Sequence, residues 1–369
     1  MRSERSRPST SPTIAEVAAE AGVGKATAAR TLGNYGAVSP QARARVLAAA
    51  EKLRYRPNSL ARSMTTGVTH TLGVIVADIS NPFFAGVIRG IEDACDATEY
   101  TAIVLSADEK VGREQAALGV LMDKQVDAII LASAALLPRE TTHILEAMSR
   151  RIPIVLIDRM VPGLDLDAVV IDNREAARSA VRDFIQAGHR RIGFVWGPAL
   201  RRRPLNREQL LAAADTWLWS EAERLRGYVD ALDEAGIGID PLLVTRSDHN
   251  EESTVSAVGA MLAITDPPTA LLTTETDAMV GALRAIRQRG LQHPRDVSLI
   301  GFDDSSWASV MGPPLTMIAQ PMVELGRAAA QHAFARIGGD DGERVVQTIP
   351  TTLISRSSVA APPDTGGQR

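Results

Sequence analysis

The chain has 369 residues, 45% of them hydrophobic, with a formal net charge of −4, one cysteine and six scattered histidines. That length and apolar content call for two or three domains with sizeable cores; a single cysteine excludes an internal disulfide, and no His/Cys group has the spacing of a metal site. No apolar run approaches a membrane span, and the start MRSERSRPSTSP has no hydrophobic segment behind its charges, so no membrane partner and no export signal are expected and the cytoplasm is the expected location.

Residues 1–12 read as a disordered basic tail. From Thr13 to Thr31, TIAEVAAEAGVGKATAART has the dimensions of a helix-turn-helix. Thr13 with Glu16 three residues on is a capping box, and Ile14, Val17 and Ala18 repeat at the spacing of one buried stripe. Gly22 breaks that helix. A second helix is expected from about Lys25 to Leu32, with Lys25, Ala26, Ala29 and Arg30 exposed toward a major groove. A plain two-helix corner would give the same local pattern, but Ser39 and Pro40 then cap and start a third helix, whose Val46, Leu47, Ala50 and Leu53 can close a three-helix core. Charge separates this head from the rest. Residues 1–66 hold eleven Lys and Arg against four Glu, a net of +7, which leaves −11 on the remainder. A cationic head suits phosphates, and an acidic body stays off them.

From Leu72 onward short β-branched runs alternate with helical stretches: 72–78, 101–108, 126–133, 152–158, 191–197, 269–274 and 297–303. Nearly continuous apolar strands covered on both faces imply parallel sheets with crossover helices, and a series this long implies two doubly wound lobes with a ligand site between them, beyond the carboxyl ends of the strands. Polar and aromatic residues gather just after those ends at Asp78, Asn81 to Phe84, Asp158 and Arg159, Asp172 and Asn173, and Asp303 and Asp304; each could equally be a helix cap or turn residue. Cys95 reads as a small core residue. The stretch AGVGKAT lacks the glycine and hydroxyl positions of a phosphate-binding loop, because Ala19 and Ala26 stand there. Asp303 and Asp304 as strand neighbours would point apart rather than act as a catalytic pair, so no enzyme is expected.

In order and spacing, TIAEVAAEAGV, VSPQARARVLAAAEKLRYRPN, ISNPFFAGVIRGIE, AGHRRIGFVWGP and DVSLIGFDD make the chain resemble the lactose repressor/galactose repressor (LacI/GalR) family of transcription factors from Thr13 to about Ser358. The resemblance implies an α/β protein: an N-terminal three-helix helix-turn-helix DNA-binding domain (13–57), a hinge helix (58–67), and a two-lobed, doubly wound periplasmic-binding-protein-like (type I) body. That body spans 70–356, with lobes at about 70–171 plus 321–345 and about 172–319 plus 346–356, followed by a flexible tail, 357–369. It implies a nucleoid-associated homodimer on a pseudo-palindromic operator, no cofactor, and a small sugar-like effector that controls operator affinity, with repression as the family default. A solute-binding protein without DNA function would share the body but have no use for the head.

Carried over by position, the resemblance implies DNA contacts by Thr13, Lys25, Ala26, Thr27, Arg30 and Ser39. In the hinge it implies contacts by Asn58, Arg62 and Met64, the last in place of the usual leucine wedge. Gly24 replaces a capping serine and Gly33 a common asparagine. For the effector it implies Phe84 as a stacking face, Arg224 and Asp303 as polar anchors, and Asp158, His249 and Glu275 as ligand-dependent positions. Glu275 replaces an asparagine of sugar-responsive members, and its added carboxylate favours a cationic or hydroxyl-rich ligand. The connection around 199–220 is more than a dozen residues longer than usual. It carries Arg201, Arg202, Arg203, Trp217 and Trp219, reads as helical from about Asn206 with a continuation into the helix carrying Arg224, and either borders the mouth of the cleft or packs locally or at a subunit contact.

Overall fold

A computed structural model describes residues 12–33, 35–55, 67–196, 206–246 and 250–363. The expected tail up to residue 11, the expected hinge through residue 66, the arginine run at 201–203 and the last six residues lie outside these. The chain divides into two compact units, 1–70 and 71–369.

The first unit contains α1 (Ile14–Glu20), α2 (Lys25–Leu32) and α3 (Pro40–Lys52). The capping box forms as the sequence indicates: the Thr13 hydroxyl accepts from Glu16 N, and the Glu16 carboxylate accepts from Thr13 N at 2.6 Å. Gly22, at φ +62°, lets Val23 N turn back to the Ala18 carbonyl and Gly22 N to that of Ala19, which closes the helix with a left-handed residue. Ser39 caps α3 through Ala42 N, and Pro40 occupies its first turn. Val17, Ala18, Ala21, Ala28, Val46, Ala49 and Ala50 form the core, with Leu53 packed on its edge. Leu47 does not belong to it and is 51% exposed. The buried face of α3 runs through Ala42, Val46, Ala49 and Ala50, and Leu47 sits about 100° of helical turn past Val46.

In the second unit, β1 (Thr71–Val76), β2 (Thr101–Ser106), β3 (Ala128–Leu131), β4 (Ile154–Ile157) and β5 (Asp167–Ile171) join β11 (Val346–Ile349) in an all-parallel sheet of order β11-β5-β4-β3-β1-β2. The other lobe repeats the order: β6 (Ile192–Trp196), β7 (Val244–Arg246), β8 (Ala270–Thr273), β9 (Ser298–Phe302), β10 (Thr316–Ala319) and β12 (Thr352–Ile354) form β12-β10-β9-β8-β6-β7, antiparallel only at β12. The seven strands read from the sequence are all present; β5, β7, β10, β11 and β12 are additional.

Two lobe boundaries differ from the expectation. Residues 346–349 belong to the first sheet, not the second, because β11 pairs in parallel with β5 and Val345 N donates to Asp167 of that strand. The chain changes lobes after β11, where Asp172 accepts from Thr351 N at 2.9 Å and ties two of the crossings together. Nor is 357–363 a tail. Ser358 is fully buried, its hydroxyl donates to the Leu299 carbonyl, and the Ala360 carbonyl accepts from the His189 ring at 2.8 Å.

Helices α4 (Pro82–Asp96), α5 (Val111–Asp123), α6 (Thr142–Ser149), α7 (Asn173–Gln186), α8 (Arg207–Ala214), α9 (Trp219–Glu234), α10 (Glu251–Met261), α11 (Thr276–Gln288), α12 (Ser306–Val310) and α13 (Met322–Ile337) cover the sheets. Cys95 is buried on α4, and desolvation raises its thiol pKa. Glycines set the two closest helix crossings. A Cβ at Gly90 of α4 would overlap the Val323 carbonyl of α13, and one at Gly227 of α9 would overlap the Arg174 carbonyl of α7. The two positions are equivalent in the repeated topology, each on the long helix that leads into the second strand of its lobe.

Candidate functional site

Strands of both sheets end at one cleft. Asn81 caps α4 by accepting from Phe83 N, and Pro82 sets its first turn, which brings Phe83 and Phe84 to the cleft wall. Their rings meet edge to face, with centroids 5.0 Å apart, so Phe84 offers a fixed apolar surface. Asp158 follows β4 and Asp303 follows β9, at matching places in the two lobes. Each has φ +70°, and each backbone N–H donates to the neighbouring strand, to Val169 and Ile318. Holding a non-glycine residue in the left-handed region is uncommon, and Asp is among those that tolerate it. The conformation turns both carboxylates into the cleft.

Of the six effector residues expected from the sequence, Phe84, Asp158, Arg224, Glu275 and Asp303 line this one cleft. His249 lies outside the described residues. Arg224 is 5% exposed; its Nε donates to Asn173 Oδ1 at 2.7 Å, its Nη1 to the Thr274 carbonyl at 2.6 Å, and its guanidinium lies 4.1 Å from the Phe302 ring centroid. Such a fork, held from three sides, is a preorganised donor for a ligand oxygen. Asp303 Oδ1 accepts from Gln320 Nε2 at 2.6 Å. Sequence reasoning missed Glu109, Glu221 and Gln320. Arg159 donates to Glu109 through Nη1 and Nη2, at 2.8 and 3.1 Å, while its Nε donates to Asp158 at 3.0 Å. Glu109 follows β2 as the other cleft residues follow their strands, and that placement could have found it. Gln320 directly follows β10, a strand not read from the sequence, and nothing local marks Glu221. Asp172 and Asp304 are not part of the cleft: the first ties the crossovers, and the second is paired with Arg356 at 2.7 and 2.9 Å.

The described part of the long connection both lines the cleft and packs locally, roles that the sequence offered as alternatives. Asn206 caps α8, the helix breaks at 215–218 rather than running on to Arg224, and Trp217 is buried in the hydrophobic core. Leu218, Ser220 and Glu221 line the cleft, while Trp219 packs against the core of the first lobe.

Burial pushes the Asp303 carboxyl up to about 6; Arg224 and the Gln320 hydrogen bond oppose the shift, and Glu275 and Asp158 add to it. A raised carboxyl pKa means a contribution to stability that is complete below the ordinary carboxylate range and lost as pH rises through about 6. Asp303→Asn is therefore expected to melt above the parent at pH 8, by on the order of 2 kcal/mol, with the gap closing between pH 6 and 4. Thermal melts at pH 8 and pH 4 check this; a gap independent of pH would contradict it.

In the first unit, Lys25 and Ala26 are exposed at the start of α2, whereas Ala29 and Arg30, expected to be exposed, are half-buried with Thr27. One turn of helix after Ala26 carries them toward the flank, where Arg30 runs beside Gly36. Thr13 and Ser39 are exposed at the caps of α1 and α3. Gly24 caps α2 without a side-chain bond, and a Cβ at Gly33 would meet the Tyr35 ring at 2.6 Å. Asn58, Arg62 and Met64 lie outside the described residues. Among the described residues no helix is long and apolar enough to cross a membrane.

Residues 13–58 match the family described as bacterial regulatory proteins, lacI family, and residues 181–359 match a periplasmic binding protein-like domain. Catabolite control protein A of Priestia megaterium is 33% identical over 346 residues, 94% of this chain and 98% of that protein. The HTH-type transcriptional repressor CytR of Escherichia coli K12 is 33% identical over 354 residues, 96% and 98% of the two chains. Among solved structures, a transcriptional regulator CelR–cellobiose complex superposes with a TM-score of 0.68 at 29% identity, covering 94% of this chain and 99% of the other.

Proposed function

The chain belongs to the lacI family of bacterial regulatory proteins, and on that footing we propose that it is a cytosolic, homodimeric transcriptional repressor whose affinity for a pseudo-palindromic operator is set by a small polyhydroxylated effector in the cleft of its body. Lys25, Ala26 and Arg30 are read as base-contacting, and Thr13, Thr27 and Ser39 as phosphate-contacting, with Asn58, Arg62 and Met64 engaging the minor groove. Phe84, Asp158, Arg224, His249, Glu275 and Asp303 are read as the effector set. One observation carries the reading: a capped three-helix unit with a net charge of +7 over residues 1–66 shares the chain with an acidic body in which five widely separated effector residues converge on one cleft. The cleft is read as binding rather than catalytic, since the adjacent carboxylates Asp303 and Asp304 are committed to Gln320 and Arg356.

Fluorescence anisotropy with duplexes from the protein's own promoter region, at several salt concentrations, tests this. A specific complex that weakens steeply with salt is expected, and Arg30→Ala should lower specific affinity by about tenfold to a hundredfold while changing nonspecific binding little. Absence of any specific, salt-sensitive complex would overturn the reading.

A further inference from the structure

Arg159 follows Asp158 at the end of β4 and lines the cleft, with its side chain 6% exposed. A guanidinium fork on a ligand wall is the ordinary receptor for a carboxylate or phosphate, because two parallel N–H donors match two oxygens. Here the fork is already filled. Nη1 and Nη2 donate to the two carboxylate oxygens of Glu109, Nη1 also reaches the Ser133 carbonyl at 3.5 Å, and Nε donates to Asp158, which uses four of the five N–H groups. A second observation concerns how Glu109 is presented. Asp108 and Glu109 are both left-handed, at φ +49° and +53°, and non-glycine residues persist there only where their surroundings fix them. The Asp108 carboxylate accepts from Ser106 Oγ at 2.8 Å and pairs with Arg113, while Glu109 N donates to the Ala77 carbonyl. The Glu109 side chain is 31% exposed against 6% for Arg159, so its carboxylate stands on the open side of the pair.

Resting on the regulatory reading above, we propose that Glu109 sets ligand specificity by exclusion: it holds the forked face of Arg159, so the cleft takes an uncharged polyhydroxylated effector in preference to its acid or phosphate ester. An incoming carboxylate would have to displace Glu109, and two anions would then share one cation. With Glu109 shortened, the same fork becomes an anion receptor.

Calorimetric titration of the full-length chain and its Glu109→Ala and Glu109→Gln variants tests it, with D-ribose, D-glucose and D-galactose set against D-ribose 5-phosphate, D-glucuronate and D-galacturonate. At least one anionic sugar is expected to bind Glu109→Ala about tenfold or more tighter than the parent, with a smaller gain in Glu109→Gln, whose amide still covers the fork. Acetate at constant ionic strength should raise the melting temperature of Glu109→Ala and not that of the parent, because it refills the fork. An acetate response without any gain in affinity for an anionic sugar would mark the pair as structural only and overturn the proposal. So would an anionic sugar that binds the parent as tightly as its uncharged counterpart, or no gain in either variant. Operator binding by the same preparations is measured without sugar, so failure of the exclusion is distinguishable from failure of the regulatory reading.

Discussion

Arg224→Met is expected to abolish the response of operator binding to effector and to lower the melting temperature of the body. The side chain is buried, bonded to Asn173 on α7 and to the carbonyl of Thr274 after β8, and lies over Phe302. Methionine fills much of the volume but takes the positive charge of Arg224 away from Glu221, 3.9 Å from it, and from Asp303, both of them 5% exposed. Breaking a buried pair by removing one partner costs about 3–5 kcal/mol. The same change removes the forked donor offered to the ligand, so effector affinity should fall by about a hundredfold or more, the cost of a buried charge-assisted contact. Arg224→Lys separates the two effects: charge returns, so most of the stability returns, but a single ammonium cannot hold Asn173 and the Thr274 carbonyl together, so the effector response stays weak. Melting curves and effector titrations on both variants decide, and a lysine variant with full effector response would show that charge alone matters.

Gly227→Ala is expected to destabilise the protein by about 3 kcal/mol, the upper range for overpacking. The new methyl would overlap the carbonyl of Arg174, a backbone atom with no rotamer to escape into, so α9 must move off α7. Because Arg224 on α9 bonds Asn173 on α7, that movement reaches the cleft, and effector affinity should fall with stability. Gly259→Ala on α10 is the control. Nothing lies within 4 Å of the place its Cβ would take, and alanine there should stabilise by about 0.5–1 kcal/mol through helix propensity. Paired thermal melts give opposite signs; equal shifts would contradict the crossing argument.

Much of this architecture was legible in the residues themselves. The caps Thr13 and Ser39 and the terminator Gly22 are local hydrogen-bond and dihedral demands, so they can be read from a few neighbouring positions. The seven apolar strands were visible because strands covered on both faces must be apolar throughout. Short or edge strands such as β7, β11 and β12 were not, since Val346 is exposed and β11 carries no continuous apolar run. Leu47 misled because an apolar residue on a short helix indicates burial only in company with its neighbours at i±3 and i±4.

Residue order alone was enough for the class of each piece: a cationic capped head, an acidic doubly wound body, and a row of polar residues just past strand ends. Which of those polar residues meet was settled by the packing of the lobes. Asp158 and Asp303 turn into the cleft while Asp172 and Asp304 are spent on the crossover and on Arg356, Glu221 arrives on a helix, and Gln320 arrives at the end of β10, the strand beside the one Asp303 follows. The reason is physical: capping and strand formation are satisfied within a few residues, whereas the pairing of buried charges depends on which elements the sheets bring side by side.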